Sequence, residues 1–152
     1  MHKIVQNLIN AQSLIKSKLL ELEYKDRIPK IIAVSKTFKL SHILPLIDYG
    51  HVDYGENKVQ ESVEKWSDIK TKNKKLKLHL IGKLQTNKVK FAVKLFDFIH
   101  SLDSEKLAKK IADEQQKQGI KPKIFIQINL GKESQKSGIM KENLVEFYNY
   151  SK

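Results

Sequence analysis

The sequence contains no cysteine, which excludes disulfides and thiolate metal sites and lets the chain live in a reducing compartment at no cost. Arginine is almost absent. Arg27 is the only one, so 28 of the 29 basic residues are lysines. Nucleic-acid readers rely on arginine for bidentate contacts to bases and phosphates. The densest basic run, Lys70 to Lys77, carries five lysines and no interleaved aromatic residue for base stacking. It reads as a solvated connection ahead of a strand. The net charge of +12 suits an anionic ligand without indicating a nucleic-acid partner. No apolar run approaches a membrane span, so no membrane partner is expected. Met1 to Leu22 does not read as a signal peptide, because Ile4, Leu8, Ala11, Ile15, Leu19 and Leu22 recur at helical spacing between Gln, Asn and Lys. The expected location is the cytoplasm.

Other chemistries lack their residues. There is no glycine-rich phosphate loop and no Gly-x-Ser-x-Gly elbow for an acyl-transfer nucleophile. His2, His42, His51, His79 and His100 show no metal-ligand spacing. His100, with Asp97 and Asp103 near it, reads as a strand end and a helix cap.

What is present fits an ordinary globule. The chain has 152 residues, 40% of them hydrophobic, enough for a domain that buries about two-thirds of its unfolded surface. Strand-like and helix-like segments alternate. The strands are expected at about Lys30–Ser35, His51–Tyr54, Lys77–Ile81, Phe96–His100 and Lys123–Leu130. Leu40, Ile43, Leu44 and Ile47 form one helix face closed by Gly50, with Pro45 predicting a late start or a kink. Val59, Val63 and Trp66 line the next helix, and Val89 and Val93 a shorter one after Thr86. Leu107, Ala108, Ile111 and Ala112 form a stripe capped by Asp103 or Ser104 and ended by Gly119. A final helix, about Lys141 to Tyr150, is expected to bury Leu144, Val145 and Tyr148. Such alternation implies right-handed βαβ units on a parallel sheet, with residues 1–152 forming a single domain.

Lys36 follows the apolar run Ile31-Ile32-Ala33-Val34, at the carboxyl end of a strand, where ligand sites of parallel α/β sheets collect. A partly desolvated ammonium there loses its proton more easily and can attack an aldehyde. Placement alone also fits one more solvated lysine. Three further phrases bear on the choice. They are Tyr54-Gly55-Glu56-Asn57 with Val59-Gln60-Glu61; His79-Leu80-Ile81-Gly82-Lys83-Leu84-Gln85-Thr86-Asn87-Lys88; and Ile126-Gln127-Ile128-Asn129, followed by Glu133-Ser134-Gln135-Lys136-Ser137-Gly138.

With Ala33 to Lys36, in this order and spacing, these phrases closely resemble the pyridoxal phosphate homeostasis protein family, single-domain relatives of the amino-terminal barrel of alanine racemase. The resemblance runs along essentially the whole chain. It implies an α/β, parallel TIM-barrel-type fold and a carrier of pyridoxal 5'-phosphate, with Lys36 holding the cofactor as an internal Schiff base. Asn57, at a strand-to-helix junction, either caps the helix or lines the cofactor face. His79, sharing a strand face with Ile81, is either a satisfied core histidine or a barrel-interior residue near the pyridine ring. Asn129 faces the barrel mouth or begins a loop. Lys136 and Ser137 match the family's Ser-Lys-Ser-Gly phrase and would help gate the site, although Gln135 replaces its first serine. Apo forms of pyridoxal enzymes are implied as possible recipients.

A complete barrel needs eight strands and about 250 residues, whereas five strands are legible here. The chain therefore corresponds to about the first five-eighths of such a barrel. The relatives' Ser/Gly-rich turn and Arg-containing segment that grip the cofactor phosphate have no counterpart. Without that cup of N–H donors, affinity should fall by orders of magnitude. The first and fifth strands would be open edges, inviting self-association or a complementing chain. Three functions follow: a non-enzymatic carrier, favoured because no second domain supplies an acid–base partner for turnover; a racemase-like or lyase-like enzyme fragment; or a remnant of a split gene that binds nothing specific.

Overall fold

Strands and helices alternate because apolar residues recur at period two in short runs and at three to four in the longer ones between them. The computed structural model describes residues 1–131, 133 and 135–152. A first helix, α1 (Lys3–Glu21), precedes five parallel strands: β1 (Ala33–Val34), β2 (Asp53–Glu56), β3 (Lys77–Leu80), β4 (Phe98–Leu102) and β5 (Lys123–Ile126). They pair in chain order. The intervening helices are α2 (Leu40–Tyr49), α3 (Val59–Lys72), α4 (Val89–Leu95) and α5 (Glu105–Gln118). Each β/α unit lays its strand beside the last, as in a TIM barrel. The five-stranded sheet is open, with β1 and β5 as its edges.

Alternation divides the sheet into two faces. Tyr54, Leu78, Leu80 and Ile99 are fully buried with Trp66 of α3 and Val89, Ala92 and Val93 of α4. This helix-side layer is the core. Each of these side chains contributes roughly 1.5–3 kcal/mol on burial. The other face carries the row Val34, Gly55, His79, Phe98 and Lys123, set by the register of the five strands. This is the inner face of the sheet. Val34 remains 46% and Phe125 50% exposed.

Several boundaries depart from expectation for local reasons. The first strand is two residues long, because it is an edge with one neighbour and Pro29 offers no N–H upstream. The second starts at Asp53, since the His51 N–H closes α2 by donating to the Leu46 carbonyl at 2.9 Å. The fifth divides at Gln127. Its continuation, β6 (Ile128–Asn129), leaves the sheet to pair in parallel with β7 (Ile139–Met140). Helix α2 begins at Leu40 and runs through Pro45, so the late start does not occur. Gly50 ends it at φ 99°, a left-handed position that favours glycine. Ser104, rather than Asp103, caps α5 by accepting the Leu107 N–H at 3.3 Å. After a 3₁₀ turn, α6 (Leu144–Ser151) buries Phe147 while Val145 and Tyr148 stay exposed. Leu144 and Phe147, three residues apart, form the narrow face toward α5, and Val145 and Tyr148 fall on the opposite side.

Candidate functional site

The turn that carries Lys36 is anchored from below by a buried carboxylate. Ser35 extends the β1–β2 ladder by donating its N–H to the Gly55 carbonyl at 2.9 Å. Its hydroxyl donates to Glu56 Oε1 at 2.7 Å. The same oxygen accepts Lys65 Nζ and Trp66 Nε1, each at 2.9 Å. Lys65 Nζ also donates to the Ser35 carbonyl at 2.9 Å. Glu56 is 1% exposed, and a buried carboxylate persists only when paired and hydrogen-bonded in this manner. The Phe38 N–H closes the turn on the Ser35 carbonyl at 3.2 Å, with Thr37 at φ 66°. A β-branched residue in that region stores about 1–3 kcal/mol of strain, which the surrounding bonds must offset. Lys36 itself is exposed. Among the described residues no hydrogen bond or ion pair engages its ammonium.

Asn57 lies just past the end of β2 and is half-buried. It does not cap α3: the cap position is Lys58, and no side-chain cap bond forms there. Among the described residues no hydrogen bond engages the Asn57 amide. Beside it, the Ile81 N–H donates to the Glu56 carbonyl at 2.9 Å, and Gly82 packs so closely that a Cβ would stand 2.2 Å from the Asn57 carbonyl oxygen. Asn57, Gln60, Gly82, Lys83, Gln85 and Lys88 line a cleft of about 480 Å³. Lys36, Asn57 and Gly82 thus stand past the carboxyl ends of three adjacent strands.

His79 sits two residues lower, level with Val34 and Gly55, about 6–7 Å down the strand direction. It is buried and bonded on both sides. Its Nε2 is 3.0 Å from Asp53 Oδ1 and its Nδ1 is 2.9 Å from His100 Nε2. Phe98 stacks on its ring at 4.3 Å with an interplanar angle of 1°, and His100 stacks on Phe125 at 4.6 Å. Burial, and then the neighbouring His79, push the His100 imidazole below the ordinary histidine range.

Asn129, in β6, is buried, and its Nδ2 donates to the carbonyls of Glu133 at 2.9 Å and Lys136 at 3.3 Å. Its amide is spent on closing a loop. It lies beyond β5, the edge strand opposite β1, and lines a cleft with Ile81 and Lys83. Lys136 pairs with Glu133 at 2.6 Å, and Gln127 Nε2 donates to the Ser137 carbonyl at 3.3 Å. Ser134, part of the phrase that carried the resemblance, and Lys132 lie outside the described residues. Lys36 and Asn57 thus follow the carboxyl ends of adjacent strands, His79 lies further down on the inner face, and Asn129 lines a separate cleft with Ile81, Lys83 and Gln127.

Sequence reasoning missed Glu56, Lys65, Asp53 and His100. Glu56 had a signal, a carboxylate two residues after Tyr54 and so on the helix-side face of a buried strand. His100 and Phe98 share a strand face two residues apart, which aligned them with His79 once the strand register is known.

An open parallel sheet in chain order, with a lysine turn and polar side chains past its carboxyl ends, defines a portion of an alanine-racemase-type barrel. Alanine racemase from Clostridium difficile 630 shares the fold, with a TM-score of 0.64 at 14% identity over 90% of this chain and 36% of that one. No family model matches the chain. The pyridoxal phosphate homeostasis protein of Pasteurella multocida is 37% identical over 144 residues, covering 94% of this chain and 61% of that protein. PipY of Synechococcus elongatus PCC7942, solved with pyridoxal phosphate bound, is 33% identical with a TM-score of 0.69, covering 88% of this chain and 63% of that one. Its structure without the cofactor gives a TM-score of 0.74. The chain is similar to pyridoxal phosphate homeostasis proteins and spans about three-fifths of the length of the relatives it matches.

Proposed function

We propose that this chain binds pyridoxal 5'-phosphate through Lys36 and serves in holding and releasing the cofactor rather than in turnover. The observation that carries the proposal is the Lys36 turn. A free amine stands at the carboxyl end of a strand, on a backbone that Glu56, Lys65 and Trp66 fix from beneath. Lys36 would hold the cofactor through its amine. The cofactor's own chemistry is that of an electrophilic aldehyde conjugated to a pyridine ring. Asn57, with its amide unspent, and His79, held in one orientation by Asp53, are the groups proposed to line it. Asn129 contributes by closing the loop that carries Lys136 and Ser137.

Two features support carriage over catalysis. The relatives are named for homeostasis of the cofactor, and PipY holds it in a solved structure. The amine is also exposed, and among the described residues nothing pairs with it, which suits reversible attachment. The proposal includes one barrel-type domain over residues 1–152, a cytoplasmic setting that suits a cysteine-free chain, and apo pyridoxal enzymes as recipients. Titration with pyridoxal phosphate should produce a visible absorption band that Lys36→Ala abolishes. Amino acids incubated with the loaded protein in deuterated buffer should keep their α-protons. Steady α-proton exchange would instead identify an enzyme.

A further inference from the structure

Asp53, His79 and His100 come from three adjacent strands and form an unbroken chain of polar contacts across the inner face, at 3.0 and 2.9 Å. His79, which Asp53 orients, is shared with the proposed cofactor site, and His100 is not. Their arrangement limits how many protons the chain can hold. An ionised carboxylate only accepts, so Nε2 of His79 carries a hydrogen and donates it to Asp53 Oδ1. The 2.9 Å contact between His79 Nδ1 and His100 Nε2 has room for one hydrogen. With both rings neutral, His100 Nε2 donates and His79 Nδ1 accepts. After one proton is added, His79 carries hydrogens on both nitrogens and donates in both directions, to Asp53 and to His100. The bridging hydrogen has then passed from His100 Nε2 to His79 Nδ1, and the added proton sits on His100 Nδ1. The added charge rests beside a carboxylate, and every contact survives.

A second proton has no such place. Both facing nitrogens would carry hydrogens, and two cations would sit with ring centroids 5.2 Å apart. Among the described residues no carboxylate other than that of Asp53 is bonded to either ring. On β3, Lys77 turns toward Asp97 at 3.6 Å. On β5, the Lys123 ammonium stands over the Phe98 ring, 5.7 Å from its centroid. Ahead of β2, His51 is hydrogen-bonded to the backbone carbonyl of Asp53 at 2.9 Å and not to its carboxylate. Toward β1, the inner face offers the apolar Ile32 and Val34 beside Gly55. Ahead of β1, Lys30 lines a pocket with Gln12 and Ile15 of α1 that also holds His51 and Asp53, and a further cation there does not relieve the pair.

We propose that Asp53, His79 and His100 form a one-proton switch: the first proton strengthens the chain of contacts, and the second parts His100 from His79 and releases His100 from its stack on Phe125. The edge affected is the exposed one, since Phe125 lies half in solvent. The switch belongs to the sheet itself and stands whether or not Lys36 carries a cofactor. The two rings titrate as a coupled unit, so the two midpoints belong to the pair.

The test is NMR of the full chain labelled with ¹⁵N-histidine, without added cofactor, from pH 8 to pH 5. The switch predicts that both rings shift together on the first uptake while the His100–Phe125 contact persists. The contact then disappears at a second uptake, at least about one pH unit lower. Independent titrations of the two rings at a shared midpoint, with the contact unchanged, would overturn it. Asp53→Asn should lower the first proton affinity about tenfold or more; an unchanged first midpoint also counts against the switch. His100→Phe preserves an aromatic ring against Phe125 and removes one titrating site. It should show a single uptake at His79 and no opening, and persistence of the acid-induced opening in that variant would contradict the proposal.

Discussion

Glu56 holds Ser35 across the β1–β2 ladder: the Ser35 hydroxyl reaches the buried Glu56 carboxylate at 2.7 Å, one residue before Lys36. The amine is therefore positioned by a carboxylate on the opposite face of the neighbouring strand. Since three donors converge on one oxygen of Glu56, the turn and the core share an anchor.

Removing that anchor should be costly. Glu56→Ala leaves the partly buried Lys65 without its counter-charge and Trp66 without an acceptor. Loss of one partner of a buried pair costs about 3–5 kcal/mol, and urea melts of the variant should show a loss of that order. A cost below about 1 kcal/mol would mean that the network does not bear on the turn.

Gly82 tests the approach of β3 to Asn57. A methyl group there would overlap the Asn57 backbone, with its carbonyl oxygen 2.2 Å away, and backbone cannot rotate aside as a long side chain can. Gly82→Ala should destabilise by about 1–3 kcal/mol or more and displace Asn57, which an amide chemical-shift map would register at residues 55–58. A variant with unchanged stability and unchanged shifts at Asn57 would contradict the packing.

The inner face makes stability depend on pH. Burial and His79 lower His100 below the ordinary histidine value, which is about 6.5 in the unfolded chain. Between the folded and unfolded values the unfolded state binds more protons, so stability rises with pH. This contribution is present above about pH 6.5 and is lost as pH falls from there through the folded value. Thermal melts from pH 8 to pH 5 should show Tm falling on the acid side, with a shallower fall in His100→Phe. Identical slopes in the two proteins would show that His100 carries no linkage.

Much of this was legible in the sequence, and the limits have physical causes. The period of Leu78 and Leu80 against His79 and Ile81 fixed both faces of β3, because alternation is local. Gly50 and Gly119 marked helix ends since only left-handed backbone suits those positions. The Glu56 network was not legible, as it joins residues 21 and 10 positions apart in sequence through a packing of strand on helix. His100 was hidden for the same reason: its partner is set by inter-strand register. Asn129 was read as facing the mouth or opening a loop, and only the closed loop shows that its Nδ2 serves backbone carbonyls.

The most direct test of the central claim is borohydride reduction of the protein in the presence of pyridoxal phosphate, followed by peptide mapping. Reduction should fix one pyridoxyl group per chain on Lys36, well ahead of the other 27 lysines. A label spread evenly over the lysines, or concentrated on a residue remote from the carboxyl end of β1, would contradict a site at Lys36.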